Sequence, residues 1–226
     1  QAKEDSSRIT FKNIKLIGWN KNTDGIHVSD MDWKDSPIVG NAKGLKLFVD
    51  DCFIRANDDA ILLCDGVAYS EMKNCIIWDA GYGATFCLSW GGRQDVDSCR
   101  VNNCYVIHKS GNNPVFRANH AGAGLIQNVY FSNIFIEGDI NSLISLKIMD
   151  HKYDPDESHN SISNIQFKNI TLEGKCGENS LIGYNENHTI TNISFQNLQI
   201  DGKTILNHEG MNLIMNEFVD GVTFSK

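Results

Sequence analysis

No stretch of this 226-residue chain approaches the roughly 20 consecutive apolar residues that a membrane span requires. No basic stretch precedes a short apolar one at the amino end, so a secretory signal segment is not visible either. Basic residues are scarce relative to acidic ones. Twenty Lys and Arg stand against 28 Asp and Glu, a net charge of −8, and they are spread thinly, which argues against a nucleic-acid partner and mildly against a polyanionic substrate. The seven cysteines include no CxxC pair and no His at zinc-ligand spacing. Their odd number rules out a complete disulfide framework within the chain, and most are expected to be buried thiols. Helical periodicity is nearly absent as well.

What is present is a short recurring phrase, with Asn or Asp between apolar residues: Phe11-Lys12-Asn13-Ile14, Val49-Asp50-Asp51-Cys52, Met72-Lys73-Asn74-Cys75, Val101-Asn102-Asn103-Cys104, Phe131-Ser132-Asn133-Ile134, Phe167-Lys168-Asn169-Ile170 and Phe195-Gln196-Asn197-Leu198. The third residues are separated by 38, 23, 29, 30, 36 and 28 positions, the loose period of a coiled solenoid whose loops vary in length. Each phrase runs on in period-two alternation to a turn, as in Ile134-Phe135-Ile136-Glu137-Gly138.

A second strand follows in every repeat: residues 25–28, 60–63, 85–88, 114–117, 143–146, 180–183 and 204–207. Two or more strands per repeat, stacked coil on coil, predict an all-β fold, a right-handed parallel β-helix of about seven coils forming one domain over residues 1–226. Cys52, Cys75 and Cys104 share the inward slot of Ile14, Ile134, Ile170 and Leu198 and are read as stacked core residues. The recurrent Asn and Asp are expected to form a side-chain ladder at a turn.

Aligning the second strands sets Asn22-Thr23-Asp24-Gly25 beside Asn57-Asp58-Asp59-Ala60 one coil on. Asp24 and Asp59 then occupy equivalent positions with Asp58 adjacent. Like charges a few ångströms apart resist joint ionisation, so a proton donor and a base can coexist there. Glycoside hydrolysis needs that pair of states. A calcium site or a solvated acidic turn is the bland alternative.

Asn22-Thr23-Asp24-Gly25 followed by an Asp-Asp doublet resembles the polygalacturonase family, glycoside hydrolase family 28, and its clan relative family 49 of dextranases and isopullulanases. The resemblance covers about residues 16 to 138. It implies a right-handed parallel β-helix that inverts configuration, with Asp58 as general acid and Asp24 and Asp59 holding and deprotonating the attacking water. Two family 28 motifs are altered: Gly81-Tyr82-Gly83 stands where Gly-His-Gly is expected, and Phe116-Arg117-Ala118-Asn119 keeps the Arg of Arg-Ile-Lys but not the Lys. Those departures, with Ser89-Trp90, Arg93 and Val106-Ile107-His108, look closer to the dextranase side and favour a neutral or modified glycan.

Substrate contacts are expected from His27, Tyr82, Trp90, Arg93, Arg117 and Lys147. Arg117 follows apolar Phe116 and should project outward into the cleft, Trp90 is the aromatic platform, and Lys147 with Tyr184 lies further along the groove. Trp19, Trp33 and Trp78 are read as packing. Asp150–Glu157 reads as a surface loop. Asn169, Asn187 and Asn192 head sequons, although a glycan on Asn169 would meet the stacked coils.

The expected reaction is single-displacement hydrolysis of a poly- or oligosaccharide with no cofactor and no metal. The rivals are a non-catalytic polysaccharide binder with calcium in the acidic cluster, and a lyase or epimerase using Arg117 or Lys147 as base. A secreted or periplasmic protein is expected, and a preceding segment should complete the amino-terminal cap of the helix, because an open first coil leaves sheet edges bare.

Overall fold

A computed structural model describes residues 8–28, 45–63, 66–79, 81–92, 94–151 and 158–226. Among them there is no helix, so none is long and apolar enough to cross a membrane. The strands form two stacks, of thirteen and seven strands, whose neighbours pair in parallel except at one hairpin. The chain is a right-handed parallel β-helix. The seven-stranded stack, here the cleft sheet, takes one strand from each coil: Ile26–Val28, Ile61–Leu63, Phe86–Gly91, Phe116–His120, Ile144–Ile148, Asn179–Ile182 and Leu213–Met215. These strands define coils 1 to 7.

The larger sheet bends without breaking. In Val96–Ile107, Ile126–Glu137, Ile162–Glu173 and Ile190–Ile200 a residue with positive φ turns the strand while its neighbours stay paired. Asn13, Asp51, Asn74, Asn103, Asn133, Asn169 and Asn197, the third residues of the recurring phrase, all have φ between 50° and 56°. Asn and Asp tolerate this left-handed region because a short polar side chain can bond locally. Their amides bond from coil to coil, Asn103 to Asn74 at 2.8 Å, Asn169 to Asn133 at 2.8 Å and Asn197 to Asn169 at 3.0 Å, so the expected ladder is present. Asn169 spends its Nδ2 there, the atom a glycan would take. A second ladder, absent from the sequence reading, runs through Asp97, Asn128 and Asn164 at the earlier bend.

Inside, identical residues stack at the coil repeat. Phe131, Phe167, Phe195 and Phe224 lie nearly parallel with centroids 5.2, 5.1 and 4.8 Å apart, close to the ~4.8 Å spacing of paired strands. Cys52, Cys75 and Cys104 are buried free thiols in the same column as Ile134, Ile170 and Leu198.

The seventh cleft strand is not where the repeat placed it. Lys203–Ile205 turns back and pairs antiparallel with Ile200 to Leu198, and Leu213–Met215 completes the sheet instead. Asp201 and Gly202, at φ of 49° and 71°, form the two-residue turn that Asp-Gly favours.

Candidate active site

The cleft sheet is entered through the same bend in each coil, and the first three of these bends lie directly on one another. Asp58 N–H donates to Thr23 O at 3.0 Å and Gly25 N–H to Asp59 O at 2.9 Å, while Ala60 N–H reaches Ala84 O at 3.0 Å. This is the register expected from the aligned strands, and it brings Asp24, Asp58 and Asp59 together with one oxygen of each within 4.8 Å of the others.

The three carboxylates are held very differently. Asp59 is 2% exposed, and both its oxygens are surrounded by donors: the Ala84 amide at 2.6 Å, the Trp90 indole at 2.8 Å, and Arg117 Nη2 at 2.6 and 2.8 Å. Burial raises the Asp59 carboxyl above its ordinary range, against the opposing pull of Arg117 and the Ala84 and Trp90 bonds. A proton on either oxygen would face an N–H, so the geometry holds the ionised form. Asp24 accepts the Asp59 amide at 3.1 Å on one oxygen and sits 2.6 Å from His27 Nδ1 with the other.

Among the described residues the Asp58 carboxyl bonds only the amide of the adjacent Asp59. Its carboxyl is raised to about 6, first by partial burial and then by the Asp59 and Asp24 charges, with Arg117 opposing. It is therefore the group that keeps a proton closest to neutrality.

Gly83 explains how the third coil comes so close. A Cβ there would lie 2.2 Å from the Asp59 nitrogen and 2.6 Å from Asp58 Oδ1, so only glycine fits. Beneath it is a buried ion pair that the sequence reading missed. Lys109 Nζ lies 3.0 Å from Asp79 Oδ2, with both side chains at or below 1% exposure. Asp79 also accepts the Gly81 amide at 2.9 Å and the Thr85 hydroxyl at 2.7 Å, and Lys109 reaches the Gly83 carbonyl at 3.3 Å. The pair thus grips the turn that presses Gly83 and Ala84 against the acidic doublet. Its only sequence signal is a charged residue two positions before each of Gly81 and Gly111.

Two expected substrate contacts, Arg117 and Trp90, are bonded to Asp59. Arg117 does face away from the core, but it is 3% exposed, because Leu62, Ala84 and Cys87 form a small apolar cluster outside the sheet with Trp90 packed on it. Its guanidinium binds Asp59 and lies 4.2 Å from the Trp90 ring centroid. Trp90 is accordingly a wall bonded to Asp59, with His151 at 4.8 Å between ring centroids, rather than an open platform.

The other contacts fall as follows. His27 is on Asp24, Tyr82 is 49% exposed at the rim with the Lys21 ammonium 4.4 Å from its ring centroid, and Lys147 lies two coils beyond Trp90 in the same outward register through Asn119. Arg93, Trp33 and residues 152–157 of the expected loop lie outside the described residues. Trp19, read as packing, is 64% exposed.

The three Asp residues are also the one cluster among the described residues tight enough for a metal ion. Arg117 already brings a positive charge into that cluster, as a cation would.

Comparison with curated protein sequences returns no match. The model of the family described as Glycosyl hydrolases family 28 matches residues 3–216, nearly the whole helix including every coil that builds the acidic cluster. With that span and this fold, the chain belongs to glycoside hydrolase family 28 and is an enzyme that cleaves glycosidic bonds in carbohydrates.

Proposed function

We propose that this enzyme hydrolyses a neutral or modified glycan by single displacement. Asp58 gives its proton to the glycosidic oxygen as the bond from the anomeric carbon breaks. A water loses a proton to Asp24 as its oxygen forms the new bond to that carbon. Asp59, saturated by four donor contacts, holds the turn and supplies the negative charge that keeps Asp58 protonated. The observation that carries this reading is the unequal bonding of three adjacent carboxylates: four contacts on Asp59, two on Asp24, and on Asp58 only the amide of the adjacent Asp59.

The neutral-glycan reading rests on the cations. Arg117 and Lys109, two buried cations beside the acidic doublet, are committed to Asp59 and Asp79 and have little charge to offer a uronate. The altered Gly81-Tyr82-Gly83 and Arg117-Ala118-Asn119 motifs agree, and they are where the dextranase-like lean enters. Reducing-sugar release from dextran, pullulan and polygalacturonate, comparing the parent with Asp58→Asn, tests this. Release from dextran or pullulan that disappears in the variant is expected, and a preference for polygalacturonate would overturn the neutral reading.

A second reading follows from distance. Oxygens within 4.8 Å are closer than the roughly 6.5–9.5 Å between carboxyl groups usual for inversion, and nearer the ~5–5.5 Å of double displacement. Double displacement needs a carboxylate oxygen free to attack. Asp59, with donors on both oxygens, has none, which favours inversion with Asp24 as the base. Proton NMR of the first-formed anomer decides: retained configuration would overturn the single-displacement mechanism.

A further inference from the structure

An exposed Trp is uncommon unless its polar edge or its open face is used. Trp19 is 64% exposed, yet it is held on several sides. The Arg55 guanidinium lies 3.8 Å from its ring centroid, and Trp78 meets it edge-on at 6.1 Å and 76°. Arg55 is 8% exposed, donates to the Gly18 carbonyl, and has no carboxylate partner among the described residues. Its charge is met instead by the two indole rings, since the Trp78 centroid is only 5.5 Å away. One face of Trp19 is thus covered by a buried cation and the ring is fixed, so an occupant of the other face binds without first ordering the side chain.

The position is as informative as the packing. Asn57 Nδ2 donates to the Trp19 carbonyl at 3.2 Å, and Asn57 is the residue before Asp58. Trp19 also belongs to the segment that runs from Gly18 into Asp24. On the coil below, Tyr82 is exposed immediately before Gly83, the glycine that touches Asp58. The backbone of Trp19 and the Tyr82–Gly83 turn thus both border the Asn57–Asp58 turn, with the Trp19 ring resting on Arg55 and Trp78 of the larger sheet.

We propose that the open face of Trp19 is a glycosyl-binding platform, the subsite for the sugar unit next to the scissile bond on the Asp58 side, with Tyr82 on its far rim. The apolar C–H face of a pyranose packs on an indole, while its hydroxyls remain available to the polar residues around it. The subsite's place beside the scissile bond rests on the hydrolase reading above, but its affinity for a sugar does not.

The test separates the two. In the Asp58→Asn background, calorimetric titration with isomaltohexaose, maltohexaose and hexagalacturonate is compared for Trp19, Trp19→Phe and Trp19→Ala, with circular dichroism to verify the fold. Loss of about tenfold or more in affinity for at least one hexasaccharide in Trp19→Ala, largely restored in Trp19→Phe, is expected. Affinities within about twofold of each other in all three proteins, or no binding of any hexasaccharide, would overturn the platform. If the parent releases no reducing sugar from any glycan while Trp19→Ala still abolishes oligosaccharide binding, the platform stands and the hydrolytic mechanism falls.

Discussion

Asp59 in coil 2 and Asn179 in coil 6 are both buried acceptors of backbone amides, but on opposite sides of the wall: Asn179 stands in the core column of Ile144, Phe116, Phe86 and Ile61, whereas Asp59 lies two positions before Ile61 and faces Arg117 and Trp90. Each is buried at the entry to a cleft strand and accepts backbone amides from a neighbouring coil: Asp59 takes Ala84 at 2.6 Å, and Asn179 takes Leu143 at 2.8 Å and Ile144 at 2.9 Å. Asn179 completes its bonding with the Met211 carbonyl and needs no charge. Asp59 needs Arg117 and Trp90 to remain ionised out of water. A neutral amide therefore serves as a buried acceptor inside the coil, while the carboxylate on the cleft side is held by a cation and an indole of its own. The buried Asp79–Lys109 pair likewise lies on the cleft side, where it grips the Gly83 turn against the acidic doublet.

Breaking one half of a buried pair gives the sharpest contrast. Arg117→Met leaves Asp59 buried without its cation, and a loss of about 3–5 kcal/mol in unfolding free energy by denaturant titration is expected, together with loss of hydrolysis. Combining it with Asp59→Asn removes both charges of the pair. Most of the stability should return and the activity should not, and a double variant that recovers both would show the charge to be dispensable. Lys109→Met should cost somewhat less, about 3 kcal/mol, because Gly81 and Thr85 continue to bond Asp79. Hydrolysis should fall with it through the displaced Gly83 turn.

Asp58 sharpens the comparison through pH. Its carboxyl is raised to about 6 in the folded chain from an ordinary 3.8, so the folded state binds this proton more tightly than the unfolded state. The resulting stability is fully present below about pH 4 and is lost as pH rises through about 6. Asp58→Asn, permanently neutral, should therefore match the parent in melting temperature near pH 4 and exceed it above pH 6. In the parent, kcat/KM should fall on the alkaline side as the acid loses its proton near pH 6. In the variant the rate should be down by about 10²–10⁴-fold. A parent whose activity keeps rising to pH 8 would remove Asp58 from the acid's role.

The coils and the acidic cluster were legible because stacking repeats them: Phe167 above Phe195, and Asn22–Gly25 above Asn57–Ala60, are visible as aligned letters. Arg117 was not, because alternation with Phe116 tells which side of the sheet a residue takes but not whether that side is wet. Here Leu62, Ala84, Cys87 and Trp90 make a second apolar layer outside the core. Trp19 does pack, on Arg55 and Trp78 from two later coils, and nothing local announces that the ring is also 64% exposed. Asp201-Gly202 did carry its hairpin signal, and the repeat pattern of Thr204–Asn207 outweighed it.

The smallest effect belongs to the ladder, where the rungs around Asn169 are neutral amides. Asn169, at φ 53°, donates to Asn133 at 2.8 Å and accepts from Asn197 at 3.0 Å. Asn169→Ala loses both bonds and places a Cβ residue without a local polar partner in the left-handed region, for a cost of about 2 kcal/mol. Asn169→Gly loses the same bonds but not the backbone freedom, and about 1 kcal/mol is expected. Denaturant titration should rank parent, Gly and Ala in that order while kcat/KM stays within about twofold for all three, because the ladder lies on the larger sheet and the cleft bends draw no bond from it. A reversed order of Gly and Ala would mean that the φ constraint, rather than the amide bonding, had been misjudged as the part of the cost that glycine relieves.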